Sequence, residues 1–261
     1  ALPPFSYICH TTINLMASVR EVYNALSDLA NKDERGFVTP TEFNSFAPIA
    51  QQNIFNKLFQ ELTNVEALRK RNVDPARDKS RSKQIKEDLA VFSVQSNIAK
   101  ASGSFAKPDD FARLISLKTF GDVVLDVTNS VMIDSVYDEE KIDRILLSSL
   151  SAPTRTKPVA LVRDTITVFP TSVNRITMRY YKQPEGLSPT TGARTVALPM
   201  FGFTLSNGKE AYNAATSVDF ELPEHYTSEL VVEMGKLIGV NLRDRDVYAY
   251  ATGGQSTQQR R

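Results

Sequence analysis

Residues 31–42, NKDERGFVTPTE, come nearest to a metal-ligand pattern in this chain. Asn31, Asp33, Arg35, Gly36, Val38 and Glu42 fall on the first, third, fifth, sixth, eighth and twelfth positions of a helix–loop–helix calcium loop. Calcium is held by hard oxygen ligands, so Arg35 brings a cation where an oxygen is needed, and Asn31 removes a charge. Pro40 stiffens the exit. The same residues make an ordinary connection between two helices, with Gly36 ending the first and Thr39 or Thr41 capping the second. That second reading is preferred, and no metal site is assigned.

The other residues able to do chemistry are scattered. Of the two histidines, His10 follows the lone cysteine, Cys9, and His225 lies far away in sequence. Neighbours on a strand point to opposite faces, which disfavours a shared metal at Cys9 and His10. Asp138, Glu139 and Glu140 sit together where a short helix should begin. Acids in a first turn complement the helix dipole, a simpler account than a catalytic carboxylate pair. Arg69, Lys70, Arg71, Arg77, Lys79, Arg81, Lys83 and Lys86 form one basic cluster, interrupted by Asp74 and Asp78. It offers phosphate contact, an acidic partner face, or a solvated helix surface partly neutralised by Glu87 and Asp88. No aromatic residues interleave it, so it is no stacking platform for single strands. The chain carries no phosphate-cradling glycine loop, nucleophile elbow or dinucleotide fingerprint. The expectation is a non-enzyme without catalytic, cofactor or metal residues.

Composition sets the frame for the elements. At 261 residues and 41% hydrophobic, the chain can bury a proper core in one domain or two small ones. A net charge of +1 gives no global argument for nucleic acid or an acidic membrane. No apolar run approaches the roughly 20 residues of a membrane helix. The start lacks the basic and continuous apolar regions of a signal peptide, and a lone cysteine suits a reducing cytoplasm.

Residues 1–16 form an arm with Pro3, Pro4 and apolar Phe5, Tyr7, Ile8, Ile13 and Leu15; Met16 is an alternative start. Such an arm lies either on a neighbour or on its own body. Helical spacing then appears over 18–30, 41–62 and 77–98, with Pro48 kinking the second helix or marking its first turn. From 111 the pattern changes to period two, over 111–119 and 122–137, before a short helix from 138. An antiparallel hairpin is expected from 159–169 and 175–183, joined by a turn at 170–174. Residues 184–216 form a projecting loop, with a second hairpin around Asn207 and Gly208. A short edge strand at 217–222, a helix over 223–240 and a polar tail at 251–261 complete the chain. The fold class is α+β: an N-terminal helical section (17–110) of about three helices, and a mainly antiparallel sheet with a C-terminal helix (111–250).

The order of pieces resembles structural proteins of tailed bacteriophages. It runs from the helical LANKDERGFVTPTEFNSFAPIAQQNIFNKLFQEL, through the RITMRYYKQP strand and a variable loop, to FELPEHYTSELVVEMGKLIGVNLRD. It is most similar to neck or ring proteins of short-tailed, crAss-like phages, over most of 17–250 and by diffuse pattern. The resemblance implies a virion component assembled in the host cytoplasm, stacked as a ring beneath the portal and around the DNA channel, where twelve copies are usual. Its implied partners are copies of itself, the portal, other neck or tail proteins and DNA passing through the lumen, with no membrane. An auxiliary or minor capsid protein, and a DNA-binding packaging module using Arg69 to Lys86, are the alternatives.

Overall fold

The computed structural model describes residues 16–31, 38–70, 75–119, 130–191, 194–195, 197–206 and 209–241. The fold is α+β. The chain forms two compact units: Ala1–Asp88 together with Pro184–Arg261, and Leu89–Gln183. The second unit is thus an insertion into the first, and the boundaries fall at 88 and 183 where the sequence pattern suggested a change at 110.

The first unit is built on α2 (Pro40–Lys70), which runs through Pro48 without a break in the helix. Phe43, Ala47, Ala50, Ile54 and Leu58 recur at steps of three and four and are all buried, forming one continuous stripe. α1 (Val19–Asn31) and α5 (Thr227–Asn241) supply further core, with Val19, Val22 and Leu26 from one and Leu230, Met234 and Ile238 from the other. Tyr23 stacks on Phe201 with ring centroids 4.1 Å apart and meets Phe43 edge-on at 5.3 Å.

Two amides on α2 bind the late segment of the chain to this helix. Asn44 mimics a peptide group: its Nδ2 donates to the Phe201 carbonyl at 3.1 Å, and its Oδ1 accepts from the Phe201 N–H at 2.7 Å. Seven residues on, buried Gln51 donates to the Glu185 carbonyl at 2.7 Å and accepts from the Glu221 N–H at 2.8 Å. Those backbone groups belong to the ends of a three-stranded sheet of order β12-β8-β9, with β8 Gly186–Leu187, β9 Arg194–Thr195 and β12 Asp219–Phe220. Only glycine fits at 186, since a Cβ there would lie 2.1 Å from Val218 and 2.7 Å from the Ala197 carbonyl. β10 (Phe203–Ser206) and β11 (Lys209–Tyr212) form the expected second hairpin. Residues 184–216 are therefore not one projecting loop; buried Gly186 and Leu187 anchor their start.

The inserted unit is a seven-stranded sheet of order β1-β7-β3-β4-β5-β6-β2. In chain order the strands are β1 Ser93–Ala99, β2 Phe105–Ala106, β3 Phe111–Thr119, β4 Val131–Val136, β5 Val159–Val162, β6 Thr165–Phe169 and β7 Arg175–Lys182. Six strand spacings of about 4.8 Å would hold the two edges of a flat sheet about 29 Å apart. Yet edge strands β1 and β2 are joined by one tight turn, closed by reciprocal Ala101–Ser104 hydrogen bonds and with positive φ at Ser102 and Gly103. The sheet must therefore curl into an incomplete barrel. Phe105, Leu117, Ile133, Ala160, Val162, Ile166, Val168, Ile176 and Met178 fill its inside. β4 and β5 are the one parallel pair among the described strands, and α4 (Glu139–Leu147) is their crossover. Outward Val136 and Val159 pack on Ile142 of α4.

Two expectations fail here. The third helix does not reach 98: α3 (Pro75–Leu89) stops, a short 3-10 turn follows at Ala90–Phe92, and 93–99 is strand β1. The 159–169 and 175–183 segments are not one hairpin. Residues 159–169 themselves fold back at Arg163 and Asp164, while β7 pairs with β1 and β3. The misreading has a physical cause: Ala160, Val162, Ile166 and Val168 share one parity across the turn, so two strands carry the pattern of one. The arm before Met16, the tail and the segment 120–129 lie outside the described residues.

Gln51→Ala removes two hydrogen bonds, one to the buried Glu221 N–H and one to the Glu185 carbonyl, and should cost about 1–3 kcal/mol. Urea unfolding of the variant should show a fall in stability of that size, whereas Gln60→Ala, at an exposed position of the same helix, should sit within about 0.5 kcal/mol of the parent.

Candidate functional site

Several of the described residues singled out for chemistry are engaged in building the fold, while Cys9 and His10 lie outside the described residues. Glu42, at the calcium-loop twelfth position, closes a capping box. Its Oε2 accepts from the Thr39 N–H at 3.2 Å and the Thr39 hydroxyl at 3.0 Å, while Thr39 Oγ1 accepts from the Glu42 N–H at 3.2 Å. The helix-connection reading accounts for both residues, while positions 32–37 lie outside the described residues. Asp138 likewise caps α4 by accepting from the Glu140 N–H at 3.1 Å. Glu139 and Glu140 pair with Arg163 and Arg144 at the surface.

The basic cluster divides. On α3, Arg81 lies 3.5 Å from Glu61 and Lys86 lies 2.8 Å from Glu66, both on α2, and Lys83 lies 3.4 Å from Glu87. Exposed pairs of this kind contribute little stability, but they place carboxylates among the cations that a phosphate backbone would need to itself. The side chains of Arg69, Lys70, Arg71 and Arg77 lie outside the described residues. Asp88 serves elsewhere: it accepts from the buried Tyr226 hydroxyl at 2.8 Å, with exposed His225 3.5 Å from its other oxygen. Burial, that hydrogen bond and the charges of Asp88, Glu229 and Glu61 all push the Tyr226 phenol upward. Among the described residues no group of three or more His, Cys, Asp or Glu side chains could hold a metal ion. No described helix is long and apolar enough to cross a membrane.

Sequence spacing missed the apolar side chains left in solvent. Ile142, Ile145, Leu146 and Leu150 have ordinary helical spacing, yet α4 ends at Leu147 and only Ile142 of the four is buried. Leu147 is 88% exposed and Leu150 is 95% exposed, one at the end of α4 and one in the turn after it. The other unit has its own set: Leu205, 72% exposed on β10, with Leu198 and Met200 on the segment leading to it. No protein-family model matches the sequence, and no curated protein matches it.

One end of the barrel holds a titratable pair. The Tyr180 hydroxyl donates to Asp110 Oδ1 at 2.8 Å, the Phe111 ring stacks on Tyr180, and Lys107 lies 4.7 Å over Phe111. Burial first, then the Asp110 hydrogen bond and charge, push the Tyr180 phenol up to about 12. The folded state therefore favours the protonated phenol. That contribution to stability is complete below the ordinary tyrosine value near 10 and is lost as pH climbs from there to about 12. Asp110→Asn removes the charge and should lower the Tyr180 midpoint, read as an earlier phenolate absorbance step in an ultraviolet pH titration; an unmoved step would contradict the assignment.

Proposed function

We propose that this chain is a virion structural protein, one subunit of an oligomeric ring in the phage neck, between portal and tail and around the DNA channel. The order of its helical, strand and loop segments supports this reading. The observation that carries it is the placement of exposed leucines on both compact units, Leu147 and Leu150 on one and Leu205 on the other. Burying a leucine fully is worth about 1.5–3 kcal/mol, so each of these side chains can contribute to a subunit contact. A cyclic ring needs two different surfaces on each chain, one fitting the other on the next copy. Twelve copies, the portal and neighbouring neck or tail proteins are the partners, and DNA in the lumen makes non-specific contacts at most. Residues 1–16, 184–216 and 251–261 contribute further contacts, and the role requires no catalysed reaction.

Imaging of particles that contain the chain tests the placement. A ring at one vertex is the expected result; copies spread over the shell lattice would make it a capsid protein instead. The paired substitution Leu147→Asp and Leu150→Asp should cut ring formation at least ten-fold while leaving the thermal unfolding of the subunit unchanged.

A further inference from the structure

One end of the inserted barrel is basic. Three turns meet there: KASGS (100–104) between β1 and β2, TRTK (154–157) ahead of β5, and TSVNR (171–175) leading into β7. The last of them crosses the barrel end, because it joins β6 to β7, which are not neighbours in the sheet. Hydrogen bonds tie the other two turns to it. The Lys100 N–H donates to the Asn174 carbonyl at 2.9 Å, and Lys100 Nζ donates to the Thr171 carbonyl at 2.6 Å. Arg155 Nε donates to Ser172 Oγ at 3.4 Å.

These turns hold four cations, Lys100, Arg155, Lys157 and Arg175, and no acid. Their exposed polar groups are otherwise the hydroxyls of Ser102, Thr154, Thr156, Thr171 and Ser172 and the amide of Asn174. Val173, their one large apolar side chain, is buried. Lys157 and Arg175 are exposed and, among the described residues, lie in no salt bridge. The cations of α3 differ, since Glu61, Glu66 and Glu87 stand beside Arg81, Lys86 and Lys83. The opposite end of the barrel differs too. There Asp109 and Asp110 follow Lys107, and Arg163, next to Asp164, pairs with Glu139. Asp122 and Asp126, in the sequence 120–129 outside the described residues, offset only half of the four positive charges.

We propose that this end of the barrel binds the phosphate backbone of double-stranded DNA. It deepens the proposed function, giving the DNA contact of that reading a place on the chain, although the binding itself needs no ring. Proteins hold DNA phosphates with Lys and Arg and with Ser, Thr and Asn side chains. Those are the polar side chains that these turns present. A protein partner calls for an apolar or aromatic centre, which the three turns lack. Single strands call for exposed aromatic rings to stack on, and the turns have none. Phosphate contacts carry no sequence information, so the binding is indifferent to base sequence.

The test measures binding of the 261-residue chain to two fluorescent duplexes of unrelated sequence, from about 50 to 200 mM salt. Equal affinity for both, falling steeply with salt, is expected. Lys157→Gln with Arg175→Gln should weaken binding about ten-fold or more at low salt. It should also make the log–log salt slope shallower by about two for each subunit in contact. Arg81→Gln with Lys86→Gln on α3 should leave both readings unchanged. Lysine acetylation of the unsubstituted chain gives a reading that no variant's folding can disturb: duplex should protect Lys157 and leave Lys83 reactive. No binding by the parent at low salt, an unmoved slope in the turn variant, or Lys157 left unprotected overturns the proposal. Poly-glutamate held as tightly as the duplex would also overturn it, by making the surface a site for an acidic protein. A chain that stays a 29.1 kDa particle yet binds DNA through these turns leaves this inference standing and ends the ring reading; rings that ignore DNA do the reverse.

Discussion

A buried glutamine holds the first unit together across most of the sequence. Gln51 touches the backbone of Glu185 and Glu221, 134 and 170 residues away, and both ends of its amide are satisfied. A buried amide stays in a core only when each of its polar atoms has a partner, because the unmet alternative costs several times what the bond contributes. The α2 rod and the late strands therefore have one register that meets this demand. Asn44, two turns earlier, repeats the device at Phe201. Helix caps and cross-chain contacts extend it: Asp219 accepts from the Val19 N–H at 2.8 Å, tying the start of α1 to β12, and burial raises that carboxyl despite the bond.

That arrangement makes the insertion of a second unit possible. Residues 89–183 interrupt the first unit, so the chain must leave and return without disturbing Gln51. The inserted barrel meets the requirement internally, because its first and last strands are neighbours: Ser93 lies opposite Tyr181. Ends that close are the condition under which domain insertion is tolerated. The inserted unit also has a core of its own and a separate small cluster under α4, as an independent folding unit requires.

Much of this fold was legible in the residues. Spacing at three and four located α1, α2 and α5, Thr39 stood beside Thr41 as the cap of α2, and Asn207 with Gly208 marked the β10–β11 hairpin. What was hidden has a reason in each case. The charged helical pattern of α3 runs on into Val94 and Ile98, which fit a helix nearly as well as a strand, so β1 was absorbed into the helix. Strand pairing between β7 and β1 spans about eighty residues, and no local signal encodes a partner so distant. Gln51 looks like any polar residue beside an apolar stripe until its backbone partners arrive. The exposed leucines were the least legible feature, since Leu146 and Leu150 keep the spacing of a buried face; exposure is a property of what packs above them.

The central claim is that this chain acts by fitting against copies of itself. Measuring the mass of the purified 261-residue chain in solution over a wide concentration range tests that most directly. The account predicts one discrete closed species at a whole-number multiple of 29.1 kDa that stops growing once complete. A single 29.1 kDa particle at every concentration would contradict it.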